Sequence, residues 1–393
     1  MKALVLTKKV PYPALDGECL VIVQDINYLI ELGYEIYVLS LNTNKHYIHS
    51  EESQKHLPLN VKLIGIDINT DLKIIDSFFN LFSSIPYNIS RFYSLKFEQQ
   101  LIKLVQDNDF KVILFEGLHL AVYSAVIPYH TKSSMVMRSH NVESEIWFRK
   151  AALESNLFKK SYTNYLANKI QAYEKKSLNN FNKFIAISDR DLKKYQALYL
   201  NTTSLVIPYS LKSFELKLNL KDPHSVFFIG SFDWEPNYTG VVWFIKNVWH
   251  DFYSKNPHWT FYIAGRKMNI HDPLFSHSGI KLLGEFKDVS TLLYNYNVMV
   301  VPLFYGSGIR IKIIEALFYA KPIISTNIGA EGIYVSNDSG ILIADDKNSF
   351  LQALETLSQS EENTKLIGEK NRTFAIKHFS FETQIKKLQK FFN

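Results

Sequence analysis

The stretch VPLFYGSGIRIKIIEAL, residues Val301–Leu317, joins a buried strand to a helix through the small loop Gly306–Gly308. The first turn of a helix presents backbone N–H groups and the positive end of the helix dipole, so it favours an anion. Arg310 and Lys312 lie in this turn, where cations are unfavourable unless an anion lies against them. We therefore interpret the stretch as the phosphate-binding element of an α/β domain.

Glu315 stands between Ile314 and Ala316 on this otherwise apolar helix. A carboxylate in apolar surroundings needs hydrogen-bond partners, and ribose hydroxyls would supply them. The Gly-x-Gly loop alone would better fit a turn into a core helix, with solvated cations and a locally paired glutamate. The combination of loop, cations and carboxylate favours the binding interpretation.

Short apolar segments recur on both sides of this stretch and alternate with helical patterns. Their apolar residues are consecutive, which indicates strands buried on both faces of a parallel sheet. The predicted strands are Lys2–Leu6, Ile36–Leu41, Val61–Ile66, Val112–Phe115, Met135–Arg138, Phe184–Ile187, Leu205–Ile207, Val226–Ile229, Phe261–Ala264, Lys281–Leu283, Val298–Val301 and Ile323–Ser325. We predict an α/β protein of two doubly wound, Rossmann-like domains that bind ligand in the cleft between them.

The domain boundaries follow from a polar, aperiodic segment in the middle of the chain. We place a first domain at residues 1–207, a linker at 208–223 and a second domain at 224–376. A C-terminal helix at 377–393 could pack back on the first domain.

The composition excludes several classes of protein. Of 393 residues, 47% are hydrophobic and 21% charged, which is typical of a globular chain. The single Cys19 excludes a disulfide framework and a thiolate zinc cluster. A net charge of +6 is too small to indicate a nucleic-acid-binding protein. We identify no leader or membrane-spanning pattern and expect a cytoplasmic protein.

The positive charge is concentrated in Arg149–Lys194, which has eleven basic residues and four acidic ones. Phe158, Tyr162, Tyr165 and Tyr173 are interleaved with these lysines. The stretch fits two interpretations, a solvated helix face above a core stripe or a peripheral contact with an anionic membrane. Charge patterning does not decide between them.

His140 follows the predicted strand Met135–Arg138, at the edge of the sheet where ligands bind. We predict Asn141 as the N-cap of the next helix, with Glu143 and Glu145 in its first turn. In that setting His140 is either a structural histidine or a group that touches the substrate.

Asp189-Arg190-Asp191 could suggest an Asp-x-Asp metal site. A capping box, in which Ser188 is the N-cap and Asp191 its partner, is the better interpretation. No metal-ligand spacing occurs elsewhere, and we expect neither a metal nor a cofactor.

Several segments, taken in order, resemble the family 4-like glycosyltransferases, which have the GT-B fold. The matching segments are PYPALDGE (Pro11–Glu18), RSHNVESEIWFRKAA (Arg138–Ala152), FIAIS (Phe184–Ser188), VIPYS (Val206–Ser210), FFIGSFDWEPNYTGVVWF (Phe227–Phe244) and GSGIRIKIIEALFYAKPIISTNIGAEGI (Gly306–Ile333). The resemblance spans nearly the whole chain.

This resemblance implies a metal-independent hexosyltransferase that uses a nucleotide-diphosphate sugar and retains the anomeric configuration. The first domain would bind a glycan or lipid-linked acceptor, and the second would bind the donor. The implied catalytic residues are His140, Arg310 and Lys312. The implied donor-binding residues are Gly17, Gly230, Asn237, Gly306, Ser307, Gly308 and Glu315.

Two positions depart from the family pattern. Glu315 matches the second glutamate of the Glu-x7-Glu motif, but Ser307 replaces the first, which usually faces the sugar. Backbone amides of Gly306–Gly308 would then contact the sugar. Many members of the family have a second glycine directly after the position of Gly17. In this chain that position is Glu18.

We therefore predict a glycosyltransferase of bacterial-type surface polysaccharide or glycolipid synthesis, working at the inner face of the membrane. Two alternatives stay open. One is a nucleotide-sugar epimerase or hydrolase on the same fold, and the other is a non-catalytic nucleotide-sugar-binding protein.

Overall fold

A computed structural model describes residues 1–72, 80, 83–127, 130–198, 202–216, 220–286, 288–333 and 338–392. Contacts within the chain divide it into two compact units. The first unit contains Met1–Tyr209 and Ile385–Asn393, and the second contains Ser210–Gln384.

The first unit is built on a seven-stranded sheet with the order β3-β2-β1-β4-β5-β6-β7. All neighbouring strands are parallel. Its strands are β1 (Lys2–Thr7), β2 (Glu35–Thr43), β3 (Val61–Ile68), β4 (Phe110–Glu116), β5 (Ser134–Ser139), β6 (Lys183–Ala186) and β7 (Thr203–Val206). Its helices are α1 (Gly17–Glu31), α2 (Ser50–Lys55), α3 (Tyr87–Ser90), α4 (Leu95–Asp107), α5 (Glu143–Leu153), α6 (Leu157–Leu178) and α7 (Asp189–Leu198). The strand order reverses direction between β1 and β4, so ligands are expected beyond the carboxyl ends of these strands.

The second unit is built on a six-stranded parallel sheet with the order β10-β9-β8-β11-β12-β13. Its strands are β8 (Asp222–Ile229), β9 (Thr260–Ala264), β10 (Ile280–Gly284), β11 (Tyr296–Val301), β12 (Ile323–Ser325) and β13 (Ile341–Ile343). Its helices are α8 (Glu235–Phe244), α9 (His250–Lys255), α10 (Val289–Asn295), α11 (Ile311–Phe318), α12 (Lys347–Ser358) and α13 (Glu361–Phe379). Helix α14 (Phe381–Phe392) begins in the second unit and belongs to the first unit from Ile385 onward. Its strand order also reverses, here between β8 and β11.

These two parallel sheets confirm the predicted α/β, GT-B architecture. All twelve predicted strands are present, and their apolar side chains form a separate core in each unit. The short strand Ile341–Ile343 and the helix Glu361–Phe379 were not predicted. The predicted domain boundary at 376/377 falls inside that helix.

The predicted Asn141 cap is wrong. Val142 occupies the N-cap position of α5 without a side-chain hydrogen bond. The carboxylate of Glu174, on α6, instead accepts from the N–H groups of Glu143 (2.8 Å) and Ser144 (3.4 Å). The interpretation of Asp189-Arg190-Asp191 as part of a cap is supported, because Ser188 Oγ accepts from the Asp191 N–H at 3.1 Å.

The basic stretch is helical over most of its length and has two distinct faces. Tyr173 is buried, so this aromatic residue belongs to the core, whereas Phe158, Tyr162 and Tyr165 are exposed. Across the part of the chain that the structure describes, no helix combines the length and apolar character needed to span a bilayer.

Candidate active site

The glycine loop of the second unit connects β11 to α11 at the carboxyl edge of the sheet. Gly306 and Gly308 have φ angles of 119° and 84°, which lie in the left-handed region that favours glycine. A Cβ on Gly306 would lie 2.8 Å from Nη2 of Arg310 and 2.9 Å from the ring of Trp234. The loop therefore requires glycine here for both conformation and space.

Arg310 holds this loop from inside. Its side chain is buried, and Nη1 donates to the carbonyl oxygens of Ser307 and Gly308, the latter at 2.8 Å. The guanidinium also lies 5.0 Å from the ring centroid of Trp234, at cation–π distance. Sequence reasoning placed Arg310 beside an anion. The structure adds a role in fixing the loop and identifies Trp234, which sequence analysis did not single out.

Lys312 joins the loop to the first strand of this unit. Its Nζ donates to the carbonyl oxygen of Ile229 at 2.8 Å and contacts Oδ1 of Asn237 at 3.3 Å. Burial, together with the charge of Arg310, lowers the pKa of Lys312 to about 7. An anion placed beside this amine would raise that pKa again.

Gly230 and Asn237 complete the cluster at the carboxyl end of β8. Asn237 Nδ2 donates to the carbonyl oxygen of Ser231 at 2.9 Å. A Cβ on Gly230 would lie 2.6 Å from that same Nδ2, so glycine allows the asparagine to approach the backbone. The structure therefore brings Gly230, Asn237 and Lys312 together.

Glu315 lies one turn further along α11 and is partly buried. Burial, together with the charge of Asp288, raises the pKa of Glu315 to about 7. Hydrogen bonds donated by hydroxyl groups would stabilise the ionised form of this carboxyl group and lower its pKa.

The first unit has a second polar cluster at the carboxyl ends of β1, β4 and β5. His140 Nε2 forms a 2.8 Å hydrogen bond with Oε2 of Glu116, whose side chain is fully buried. Burial raises the pKa of Glu116 to about 8 and lowers the pKa of His140 to about 4. This hydrogen bond fixes the orientation of the imidazole.

Glu116 was absent from the predicted site, because the predicted strand stopped at Phe115. The available signal was an acidic residue directly at the end of an apolar strand. Beneath the pair, Arg138 Nε donates to Oδ2 of Asp25 at 2.7 Å, and both side chains are buried.

Glu18, the residue at the family's glycine position, is held between two lysines. Its carboxylate lies 3.2 Å from Nζ of Lys8 and 2.9 Å from Nζ of Lys9. Burial opposes ionisation, but these cations outweigh it and lower the pKa of Glu18. Gly17 is exposed at the start of α1, where Asp16 accepts from the Cys19 N–H at 3.0 Å.

This geometry defines an α/β protein with a glycine loop beside two buried or half-buried cations in one unit and a histidine–glutamate pair in the other. Residues 223–360 match the family model described as Glycosyl transferases group 1. The matched residues lie within the second unit and are similar to group 1 glycosyltransferases, and the two parallel sheets have the GT-B fold.

Three known proteins illustrate the similarity. Over 384 residues, 93% of each chain, the sequence is 26% identical to an "Uncharacterized 44.6 kDa protein in cps region" of Klebsiella pneumoniae. Sucrose-phosphate synthase from Thermosynechococcus elongatus has a similar structure, with a TM-score of 0.70 and 14% identity over 100% of this chain and 98% of that one. The complex of Anabaena HepE with UDP gives a TM-score of 0.68 and 12% identity over 100% and 99% of the two chains.

Proposed function

We propose that the chain transfers a sugar from a nucleotide-diphosphate sugar to an acceptor hydroxyl with retention of configuration. The observation that carries this proposal is the convergence of the Gly306–Gly308 loop, Lys312, Asn237 and Gly230 at one edge of the second sheet. UDP in the structurally similar HepE supports a nucleotide donor. The cps-region relative supports a role in surface polysaccharide or glycolipid synthesis.

The loop would stabilise the departing diphosphate without a metal. A trans peptide directs its N–H opposite to its C=O. Because Arg310 binds the carbonyl oxygens of Ser307 and Gly308, the N–H groups of Gly308 and Ile309 face away from the guanidinium. Preorganised N–H dipoles and nearby cations are the means by which proteins stabilise charge that develops during a reaction. Lys312 would supply the second cation.

His140 would act on the transferred sugar from the first unit, which we propose binds the acceptor. A neutral imidazole oriented by Glu116 can form one hydrogen bond to a sugar hydroxyl. Because it is uncharged, it does not compete with Arg310 and Lys312 for the phosphate. We also propose peripheral contact with an anionic membrane through Arg149–Lys194, at the cytoplasmic face.

A thermal-shift screen of nucleotide sugars tests the donor site, because a ligand raises stability in proportion to RT ln(1 + [L]/Kd). The donor that stabilises the protein is then incubated with and without a membrane extract. Release of nucleoside diphosphate only with the extract supports a transferase. Equal release without it would indicate a hydrolase, a changed sugar would indicate an epimerase, and stabilisation without turnover would indicate a binding protein.

A further inference from the structure

Helices α5, α6 and α7 form a surface on which the proposed transfer scheme places no catalytic or donor-binding residue. The start of α5 contacts Glu174 near the end of α6, so these two helices run antiparallel. Their connection, residues 154–156, therefore lies at the far end of the pair. We call the segment Leu153–Phe158 the α5–α6 tip.

The α5–α6 tip exposes three large apolar side chains. Leu153, Leu157 and Phe158 are 64%, 78% and 90% exposed. Single exposed apolar residues are ordinary, but a cluster of three within six residues marks an interaction surface. Lys159 and Lys160 follow directly and give the cluster a basic border. Apolar side chains bordered by lysines suit the interface of an anionic bilayer.

A groove of about 520 Å³ opens next to the tip, between α5, α6 and α7. Phe148, Ala152, Ala197 and Leu198 line its apolar side, and Arg149 and Lys194 line its basic side. Ala152 directly precedes Leu153, so the groove continues into the tip along α5. The groove thus combines apolar walls with cations, as an anionic amphiphile requires.

Two cations of this groove, together with Arg190, converge on one carboxylate oxygen of Glu145, which also lines the groove. Oε1 of Glu145 accepts from Arg149 Nη2 at 2.8 Å and also from Arg190 and Lys194. Asp191 accepts from the other side of Arg190 at 2.9 Å. The stretch Arg149–Lys194 that supplies these cations has eleven basic residues and four acidic ones, and arginine pairs well with phosphate oxygens.

We infer that this groove binds the phosphate of an anionic membrane lipid while the α5–α6 tip inserts into the bilayer. The inference rests on the membrane contact proposed above and gives it a defined lipid site. It does not depend on the donor site, which lies in the second unit.

The experiment measures binding to phosphatidylcholine vesicles with and without phosphatidic acid. Arg149→Gln/Lys194→Gln removes two groove cations, and Lys96→Gln/Lys103→Gln removes the same charge from exposed positions on α4, outside the Arg149–Lys194 stretch. The groove variant should lose about 25-fold of its affinity for phosphatidic acid vesicles, the effect of two basic residues at the surface. The control should lose less than about twofold, because its lysines lie away from the groove. Equal losses in both would overturn the site.

Leu157→Ser/Phe158→Ser tests insertion. It should reduce binding to both vesicle types and make the remaining binding sensitive to salt, because only electrostatic attraction is left. Unchanged binding would refute insertion. A wild-type dimer that this variant dissociates, without vesicle binding, would show that the tip contacts a second copy of the chain instead.

Ala152→Trp fills the groove without a change in charge and covers the case in which the groove variant does not fold. It should also lose the preference for phosphatidic acid.

Inorganic pyrophosphate should not compete with the vesicles for the groove, since it lacks the apolar part of a lipid. Full competition would contradict a lipid site. All variants should keep the thermal shift given by the nucleotide sugar. Loss of that shift in the wild type would instead count against the proposed transferase.

Discussion

Binding of the donor should change the charge of Lys312 more than the charge of any other residue. Its pKa of about 7 makes it largely neutral at pH 8 in the free protein. A diphosphate beside it would raise that pKa, so binding at pH 8 should take up a proton.

We therefore predict that donor affinity falls as pH rises above 7, and that calorimetry in two buffers of different ionisation enthalpy shows proton uptake. Lys312→Met should bind the donor more weakly and without this uptake. Uptake that persists in Lys312→Met would assign the proton to another group.

Glu315 gives a prediction about the nucleoside end of the donor. If it accepts from ribose hydroxyls, Glu315→Ala loses charged hydrogen bonds of about 1.5–3 kcal/mol each, so donor affinity should fall at least about tenfold. Titration calorimetry measures the loss. Glu369→Ala, at an exposed position on α13, is the control and should bind normally. Normal binding by Glu315→Ala would end the ribose assignment.

His140 should act in the transition state. His140→Ala should lower kcat and kcat/KM together by about 10²-fold, with donor Kd nearly unchanged. Glu116→Gln keeps a side chain that can hydrogen-bond to Nε2 and should retain more activity than His140→Ala. A His140→Ala protein with a normal kcat, or one that unfolds, would make His140 a structural residue.

At the scale of elements, the loop before α11 depends on one backbone conformation. Gly306→Ala places a Cβ against Arg310 and Trp234 at a φ of 119°, where a side chain is strained. We expect a loss of about 1–3 kcal/mol in the free energy of unfolding and weaker donor binding.

Gly65→Ala is the matched control, because Gly65 is in β3 and a Cβ there would meet nothing within 4 Å. Denaturant unfolding and donor titration compare the two variants. Equal behaviour would show that the loop tolerates a side chain and does not depend on glycine.

The elements that were predicted well from the sequence are buried strands, because several apolar residues follow one another in each of them. Strand β11 and the loop before α11 were recognised because apolar, glycine and cationic residues follow in a fixed order. The three-residue strand Ile341–Ile343 is too short to give such a signal. Helix α13 mixes polar and apolar residues around its circumference, so its period is weak.

Contacts between elements were beyond the reach of sequence. Asn141 has the right chemistry for an N-cap, but Glu174, 31 residues from Glu143, binds the start of α5 instead. Likewise, only the folded chain brings Glu116 to His140 and Lys312 to Asn237. The site was predicted as local motifs, and its connections depend on how the strands are ordered in each sheet.

At the scale of the whole molecule, each unit has its own sheet, core and polar cluster, and the proposed reaction divides the work between them. Donor charge would be met in the second unit by Arg310, Lys312 and backbone amides. Sugar positioning would come from His140 in the first unit. In the proposed scheme, no step would require a divalent cation.

We therefore predict nearly full transfer activity after removal of metal with excess EDTA. Protein cations and N–H dipoles would supply the charge that Mg²⁺ supplies in other phosphate sites. The measurement compares initial rates before EDTA, in EDTA and after addition of Mg²⁺ or Mn²⁺. Activity that EDTA abolishes and either cation restores would contradict this scheme and return attention to Asp189 and Asp191. Against that outcome, Asp191 is buried and already accepts from Arg190, so a cation there would have to displace an existing ion pair.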